Sequence, residues 1–277
     1  MKHFTLAGRH YSVVEPASPG PWPVVMMLHG AGGTPTWTVR ETNWDRHAQQ
    51  EQFLLVVPEA MRRDPTHPPS FLHNPPVWND GLRDGFPMRP HADDVTFLNE
   101  VLDAVASHYP IRHDQVYLTG FSNGAAMTFR LAAEASHRFA AIGPVAGYCY
   151  VEPHLARPVP TLFMVGRLDP LVPLEGGEIK TPWGRQRIVR VSVADTLQRW
   201  SQALGGLPSP VTMERADQVT IEEYPGPVPF LSYTIDDLGH HWPGGRGELK
   251  RSIAGPPSDR VDACSVLWGF FRDQRIA

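Results

Sequence analysis

Short, uninterrupted runs of apolar residues predict the buried strands of the chain. Residues 24–28 and 53–57 are apolar throughout. This pattern is typical of a strand covered on both faces of a sheet, because neither face meets water. Further strands are predicted at residues 116–119, 139–146, 160–166, 219–224 and 230–235.

Between these runs, apolar residues recur with the period of an α-helix. Within residues 93–109, four apolar side chains fall at positions i, i+3, i+4 and i+7 and line one helix face, namely Leu98, Val101, Leu102 and Val105. The alanine-rich run from Gly124 to Glu134 favours a second helix. Further helices are predicted at residues 44–52, with Asn43 as the cap, and at residues 191–204 and 262–272.

The alternation of strands and helices predicts an α/β fold, with a mostly parallel sheet that helices cover on both faces. Residues 3–6 and 10–14 flank a turn and predict an antiparallel hairpin at one sheet edge. Because neither an internal repeat nor a linker is present, we expect a single domain over residues 1–277. Residues 59–90 show no periodicity, and so long a loop in a compact domain is usually functional.

Composition and charge narrow the functional classes. With 277 residues, of which 42% are hydrophobic and 19% charged, disorder and a collagen-like fold are excluded. The formal charge is −4 and the basic residues form no run, so we expect no nucleic-acid partner. No stretch approaches the ~20 apolar residues of a membrane span, and the start has no signal-peptide core. We therefore expect a cytoplasmic protein without a membrane partner.

Cysteine and histidine spacing gives little support to disulfide or metal chemistry. Cys149 and Cys264 lack Cys-x-x-Cys spacing and are expected to be buried thiols, with a disulfide as the alternative. His67, His73 and His91 match no zinc-ligand pattern. We expect no metal and no other cofactor.

The sequence Gly120-Phe121-Ser122-Asn123-Gly124 is a Gly-x-Ser-x-Gly motif between a predicted strand and a predicted helix. In this setting the serine is typically held in a strained turn at the sheet edge, as a nucleophile elbow. The flanking glycines allow a positive φ and a close approach of helix to strand. Ser122 is therefore the candidate nucleophile, and a hydrogen-bonded turn serine is the alternative.

A serine hydroxyl needs a base at neutral pH, and imidazole is the usual one. In α/β-hydrolases the residues follow one another as serine, acid and histidine. Of the 13 histidines, only His240 and His241 come after the last predicted strands. We favour His240 because it directly follows Gly239 at the start of a loop, with His241 as the alternative.

The candidate acid is Asp169, three residues after the predicted strand that ends at Gly166. At the carboxyl edge of the sheet its carboxylate could orient the imidazole Nδ1 and stabilise the imidazolium. Asp236 and Asp237 are rivals that also follow a strand. They stand only four and three residues before His240, which leaves little room for a separate acid loop.

The sequence His29-Gly30-Ala31-Gly32-Gly33 follows the first buried strand. A loop of this kind donates one backbone N–H of an oxyanion hole, and the residue after the nucleophile donates the other. We expect Ala31 and Asn123 to be these donors. A phosphate-binding loop is the alternative, but neither the Gly-Lys-Ser/Thr ending nor the G-x-G-x-x-G register is present.

Taken together, these motifs resemble the polyhydroxybutyrate depolymerase-like esterases, which also include feruloyl and acetylxylan esterases. The matching stretches are residues 28–33, 94–97, 117–125, 139–147 and 239–244. The resemblance implies Ser122 as nucleophile, Asp169 as acid and His240 as base, because in the family's Gly-His-x-Trp-Pro-Gly stretch the histidine precedes the tryptophan by two. It also implies that Trp242 helps to wall the acyl site.

The sequence thus predicts a serine carboxylic-ester hydrolase that forms an acyl-enzyme with small-molecule or oligomeric esters, of short-chain, hydroxyalkanoate or aromatic acids. We expect Trp78 and Trp242 to form an exposed aromatic wall and His29 to contact the substrate, with loop packing as the tryptophans' alternative role. A serine peptidase, a thioesterase or a non-catalytic binding module are alternatives on the same fold.

Overall fold

A large central sheet organises the structure. The computed structural model describes residues 1–82, 92–181 and 187–276. Its strands are β1 (Lys2–Leu6), β2 (Arg9–Val14), β3 (Trp22–Leu28), β4 (Leu54–Pro58), β5 (Ile111–Phe121), β6 (Ala141–Val145), β7 (Thr161–Gly166), β8 (Gly177–Lys180), β9 (Arg187–Arg190), β10 (Val211–Ala216), β11 (Val219–Glu223) and β12 (Phe230–Ile235). Its helices are α1 (Pro35–Thr42), α2 (Trp44–Glu51), α3 (Asp94–His108), α4 (Asn123–Ala135), α5 (Val193–Ala203), α6 (Arg251–Ala254) and α7 (Ala263–Phe271).

The sheet is parallel in the middle and antiparallel at its edges. Its strand order is β1-β2-β4-β3-β5-β6-β7-β12-β11-β10, while β8 and β9 form a separate hairpin. The strands from β4 to β12 in this order pair in parallel. The outer pairs on both sides are antiparallel, including the predicted β1–β2 hairpin. The predicted α/β fold with a mostly parallel sheet is confirmed.

Alternate residues of the central strands face two apolar layers, as expected of a strand's period of two. On β3, Val24 and Met26 face the layer that contains helices α3, α4 and α5. Val25 and Met27 face the layer that contains α2 and α7. All four side chains are fully buried, which explains why the strand is apolar without interruption.

Several elements differ from those predicted. Strand β10 is exposed along its whole length and so lacks the alternation that reveals a strand. The short elements α1, α6, β8 and β9 were also not predicted. Strand β5 begins at Ile111, five residues before the predicted start, because residues 112–114 are exposed and polar and interrupt the apolar pattern. Asn43 does not cap α2 through its side chain; it adopts a left-handed conformation at φ 61° and ends α1.

The predicted loop at residues 59–90 is described as far as residue 82, and residues 83–90 lie outside the described part. Its described part contains turns and an isolated bridge between Ser70 and Asn74. Among the helices of the described residues, none is both long and apolar enough to cross a membrane. Cys149 and Cys264 are buried free thiols, as predicted.

Candidate active site

Ser122 lies in a sharp turn between β5 and α4. Its backbone has φ 57° and ψ −119°, a conformation that residues other than glycine rarely adopt. Ser122 itself carries the positive φ, so the flanking glycines serve a different need. A Cβ at Gly120 would overlap the carbonyl of Gly124, and a Cβ at Gly124 would overlap the carbonyl of Leu28. The glycines therefore allow the close approach of helix and strands that the motif predicts.

A chain of hydrogen bonds joins three distant parts of the sequence at this turn. Nε2 of His240 lies 2.8 Å from the Ser122 hydroxyl, and Nδ1 of His240 lies 2.7 Å from the Asp169 carboxylate. The His240 loop is fixed by its backbone, since Gly239 donates its N–H to the carbonyl of Pro256 at 2.7 Å. These contacts orient one imidazole nitrogen toward the hydroxyl and the other toward the carboxylate.

The Asp169 carboxylate is held by its own loop. One oxygen accepts the backbone N–H groups of Leu171 and Val172 at 2.8 and 2.7 Å, and the other faces His240. Its side chain is fully buried. The carboxylate is therefore fixed in a position from which it can accept a hydrogen bond from Nδ1 of His240.

The alternative residues point elsewhere. Asp236 forms an ion pair with Arg167 at 2.6 Å, and Asp237 forms one with Arg260 at 2.7 Å. His241 is buried, and its Nε2 donates to the carbonyl of Gly255 at 3.1 Å. Burial lowers the pKa of His241. The geometry therefore brings Asp169 and His240 to Ser122, and not their rivals.

The two expected oxyanion donors border the same space as Ser122. In the glycine-rich loop, Gly32 donates its N–H to the carbonyl of Pro76 at 2.8 Å and Gly33 donates to Gly30 at 2.9 Å. Those two N–H groups are therefore occupied, whereas Ala31 lines the cavity beside Ser122. Asn123 is the first residue of α4, where the backbone N–H has no acceptor within the helix.

The Asn123 side chain binds the loop that faces it. Its Oδ1 accepts the backbone N–H of Trp78 at 2.8 Å, and its Nδ2 donates to Asp80 at 2.7 Å. The same loop is held from behind by Asp94, which accepts the N–H of Asn79 at 2.6 Å. These bonds fix the loop relative to the turn at Ser122.

Asp94 belongs to a buried ion pair that the sequence analysis missed. The Arg9 guanidinium donates to the Asp94 carboxylate at 2.6 Å, and the two side chains are 10% and 0% exposed. The guanidinium also stacks on the Phe97 ring, with its carbon 3.6 Å from the ring centre. Arg9 and Asp94 are 85 residues apart, so no local pattern could have linked them.

The predicted exposure of Trp78 and Trp242 is wrong. The two residues are 0% and 2% exposed. Trp78 packs on the His29 ring, with the two ring centres 5.1 Å apart, and donates its Nε1–H to the His29 carbonyl. Trp242 packs on Trp44 and on Phe121, whose ring lies against His240. Surrounding loops cover both indoles, so they stabilise the site from behind and do not form a wall that a substrate can touch.

The predicted substrate contact of His29 is also corrected, because the side chain is completely buried. Its Nε2 accepts the backbone N–H of Ala60 at 3.0 Å, and its Nδ1 donates to the carbonyl of Gly30 at 2.8 Å. These bonds hold the start of the glycine-rich loop at residues 29–33. Burial lowers the pKa of His29 to about 4.

The buried, neutral His29 makes folding sensitive to acid. Its ordinary pKa of 6.5 applies to the unfolded chain, so between pH 6.5 and about 4 only the unfolded state takes up this proton. The free energy of unfolding is unaffected by this group above pH 6.5, and falls by about 2 kcal/mol from pH 7 to pH 5 on its account. Urea unfolding of wild type and His29→Gln at both pH values measures this loss. The variant should lose less stability on acidification, and an equal loss in both proteins would contradict the assignment.

Two cavities meet at Ser122. The smaller encloses about 70 Å³, and its lining includes Ala31, Val77, Asp80, Asn123, Ala146, Tyr148, Leu171, Val172 and Arg190. The larger encloses about 370 Å³, and its largely apolar lining includes Trp37, Phe71, Leu72, Leu249 and Ile253, with His240. An extended substrate can therefore have one part in each cavity with its reacting carbon at Ser122.

One cluster of possible metal ligands occurs in the described ranges. The side-chain ligand atoms of His47, Asp262 and Cys264 lie within 4.8 Å of one another. Two of them already have protein partners, since Asp262 caps α7 by accepting the N–H of Ser265 and the Cys264 thiol donates to the Thr42 carbonyl. Burial also raises the pKa of Cys264 and favours the thiol over the thiolate that binds metals.

Comparison with known proteins places this geometry in a family. A sequence profile described as Phospholipase/Carboxylesterase, of the α/β-hydrolase class, matches residues 9–193. The chain belongs to the phospholipase/carboxylesterase family. The matched region contains Ser122 and Asp169 and ends before His240. Membership of a carboxylesterase-type hydrolase family agrees with the esterase class that the motifs predict.

Relatives of this carboxylesterase-family chain include proteins named as esterases. The "Putative esterase NocK" of Nocardia uniformis subsp. tsuyamanensis is 28% identical over 94% of this chain and 77% of its own length. The bifunctional acetylxylan esterase/xylanase XynS20E of Neocallimastix patriciarum is 26% identical over 59% of this chain and 22% of its own length.

Solved structures share the fold. An acetyl xylan esterase from Aspergillus awamori superposes with a TM-score of 0.63 at 15% identity, covering 87% of this chain and 93% of its own. A thermostable esterase superposes with a TM-score of 0.57 at 16% identity, covering 99% of this chain and 62% of its own. At these identities the similarity establishes the α/β-hydrolase fold of this carboxylesterase-family chain.

Proposed function

We propose that the chain is a serine carboxylic-ester hydrolase in which Ser122 is the nucleophile, His240 the general base and Asp169 the residue that orients it. The observation that carries this proposal is the continuous hydrogen-bond chain from the Ser122 hydroxyl through His240 to Asp169, with distances of 2.8 and 2.7 Å. The strained backbone of Ser122 adds support, because it presents the hydroxyl at the meeting point of two cavities.

In the first half-reaction, the Ser122 oxygen attacks the ester carbonyl carbon while Nε2 of His240 takes the hydroxyl proton. The carbonyl oxygen becomes an oxyanion, which the N–H groups of Ala31 and Asn123 stabilise. Asp169 accepts a hydrogen bond from Nδ1–H and stabilises the imidazolium. The tetrahedral intermediate collapses when His240 gives its proton to the leaving alkoxide, and the acyl group stays on Ser122.

In the second half-reaction, water takes the place of the alcohol. His240 removes a proton from the water as it attacks the acyl carbon, and the same two N–H groups hold the new oxyanion. Collapse of this intermediate releases the acid and returns the proton to Ser122. The atoms of one ester and one water thus become one alcohol and one acid.

We propose short-chain, hydroxyalkanoate or aromatic esters as the substrate class. The small cavity beside the oxyanion donors suits a short acyl or alkyl group. The larger, mostly apolar cavity suits a bulkier part of the ester. Two similar proteins are named as acetylxylan esterases, which supports a short acyl group.

The proposal is tested with chromogenic acetate and butyrate esters, compared with a matched thioester and a peptide anilide. The expected result is turnover of the oxygen esters with a larger kcat/KM than the anilide. A larger kcat/KM for the anilide than for the esters would favour a peptidase. A larger kcat/KM for the thioester would favour a thioesterase. If the protein turns over none of these substrates, the result would favour a binding module.

A further inference from the structure

The small cavity beside Ser122 is lined by an arginine that forms no ion pair with another described residue. Arg190, at the end of β9, lines this cavity together with Ser122. Its Nε and Nη1 are buried, and neither has a hydrogen-bond partner among the residues that the structure describes. The guanidinium carbon lies 5.3 Å from the ring centre of Tyr150 and 5.9 Å from that of Tyr148.

Stacking on two aromatic rings positions the guanidinium without using its N–H groups. A cation attracted to ring faces keeps its hydrogens available at its edge. A buried charged donor without an acceptor is unfavourable by itself, and most buried polar groups in folded proteins are hydrogen-bonded. An anion that enters the cavity would supply the missing acceptor, and a carboxylate matches the planar fork of arginine.

Asp80 also lines this cavity, but its charge is already used to hold the loop. Its carboxylate accepts from Nδ2 of Asn123 at 2.7 Å and from the backbone N–H of Leu82 at 3.1 Å. Asp80 therefore acts on the nucleophile turn, and Arg190 is left to act on the substrate.

The position of His240 decides which part of the ester meets Arg190. Nε2 of His240 must reach the oxygen of the leaving alcohol in order to protonate it. His240 borders the larger cavity, and the lining of the smaller cavity contains Arg190 instead. The alcohol part of the substrate therefore lies in the larger cavity, and the acyl part lies in the smaller one with Arg190.

We propose that Arg190 is a specificity-determining residue that binds a carboxylate at the far end of the acyl group. The preferred substrates are then half-esters of short dicarboxylic acids, in which one carboxyl is esterified and the other is ionised. This inference rests on the proposed function, since it names the substrate class of the same site.

The test compares pairs of esters that differ mainly in charge. Monoethyl succinate is paired with ethyl levulinate, and monoethyl glutarate with ethyl 5-oxohexanoate. In each neutral partner an acetyl group replaces the carboxylate. Initial rates are followed by titrating the released acid at pH 8. For the wild type we expect kcat/KM to be at least about tenfold higher for one of the anionic esters than for its neutral partner.

Variants on the same hairpin assign the preference to Arg190. Arg190→Gln should lower the ratio of anionic to neutral kcat/KM by about 10- to 100-fold, and Arg190→Lys should fall between this variant and the wild type. Arg187→Gln is the matched control, because Arg187 is exposed and pairs with Glu178 at 2.8 Å. It removes the same charge from β9 and should leave the ratio unchanged.

A further pair of esters tests the assignment of the cavities. In 3-acetoxypropanoate the carboxylate is on the alcohol, and 4-acetoxybutan-2-one is its neutral partner. A preference for the anion in this pair alone would overturn the proposal, as would an unchanged ratio in Arg190→Gln.

If the wild type hydrolyses the neutral esters without preferring any anion, this inference fails and the proposed function stands. If it hydrolyses no ester in either series, the proposed function fails and this inference with it. The wild-type ratio decides the question even if Arg190→Gln does not fold.

Discussion

Replacing Ser122 with alanine should lower kcat for a chromogenic butyrate ester by about 10⁴-fold or more. Ser122 carries the hydroxyl that Nε2 of His240 can deprotonate, at 2.8 Å. In the proposed mechanism no acyl-enzyme forms without it, and the proposed oxyanion donors Ala31 and Asn123 can assist only a direct attack by water. The residual rate should therefore be small and above the uncatalysed rate.

Ser107→Ala is a matched control for this variant. Ser107 is an exposed serine of α3, and its hydroxyl donates to the carbonyl of Ala104 in the same helix at 2.8 Å. It should keep full activity, and both variants should unfold at close to the wild-type temperature. Retention of a tenth of the activity by Ser122→Ala would reject this serine as the nucleophile.

The two adjacent histidines should differ by orders of magnitude. His240→Ala should lower kcat about as much as Ser122→Ala does, because serine and base act as a unit. His241→Ala should lower kcat by about tenfold at most, since His241 contacts the Gly255 carbonyl and not the nucleophile. Steady-state kinetics of both variants on the same butyrate ester measures the difference.

The double variant Ser122→Ala/His240→Ala provides a sharper form of this test. If the two residues act on one step, the double variant should be about as slow as either single variant. A further large loss in the double variant would show that they act independently. A larger loss in His241→Ala than in His240→Ala would make His241 the base.

Local sequence patterns were sufficient to locate the sharp turn at Ser122. A continuous apolar strand, two glycines around Ser122 and an alanine-rich helix are each visible within a short window. The structure adds the reason for the glycines, because a Cβ at Gly120 or Gly124 would overlap neighbouring carbonyls. The contact between Gly120 and Gly124 is local, so a short window of sequence can encode it, whereas Gly124 meets Leu28 on a strand that is distant in sequence.

The partners of Ser122 could be predicted only with the order of residues in α/β-hydrolases. His240 is 118 residues from Ser122 and 71 residues from Asp169, so spacing alone could not choose between His240 and His241 or among the aspartates. The structure separates them through tertiary contacts. Asp236 and Asp237 are engaged by arginines, and His241 faces away.

Burial of three residues that were expected to contact substrate has one physical cause. His29 and Trp242 lie within the motifs and Trp78 lies in the long loop, but whether a side chain there faces a cavity or the core depends on loop packing. Arg190 is the reverse case: it lines a cavity beside Ser122, although nothing near it in sequence suggests an active site. Its position follows from the β8–β9 hairpin, which no pattern predicted.

Covalent labelling with a fluorophosphonate tests the central claim most directly. The phosphorus is attacked by an activated serine oxygen, fluoride leaves, and the stable adduct resembles the tetrahedral intermediate of ester hydrolysis. Peptide mass spectrometry of the wild type should find one adduct, on Ser122, with loss of esterase activity in proportion to labelling. Ser122→Ala should remain unlabelled. An adduct on another residue, or full activity with Ser122 modified, would contradict the proposed mechanism.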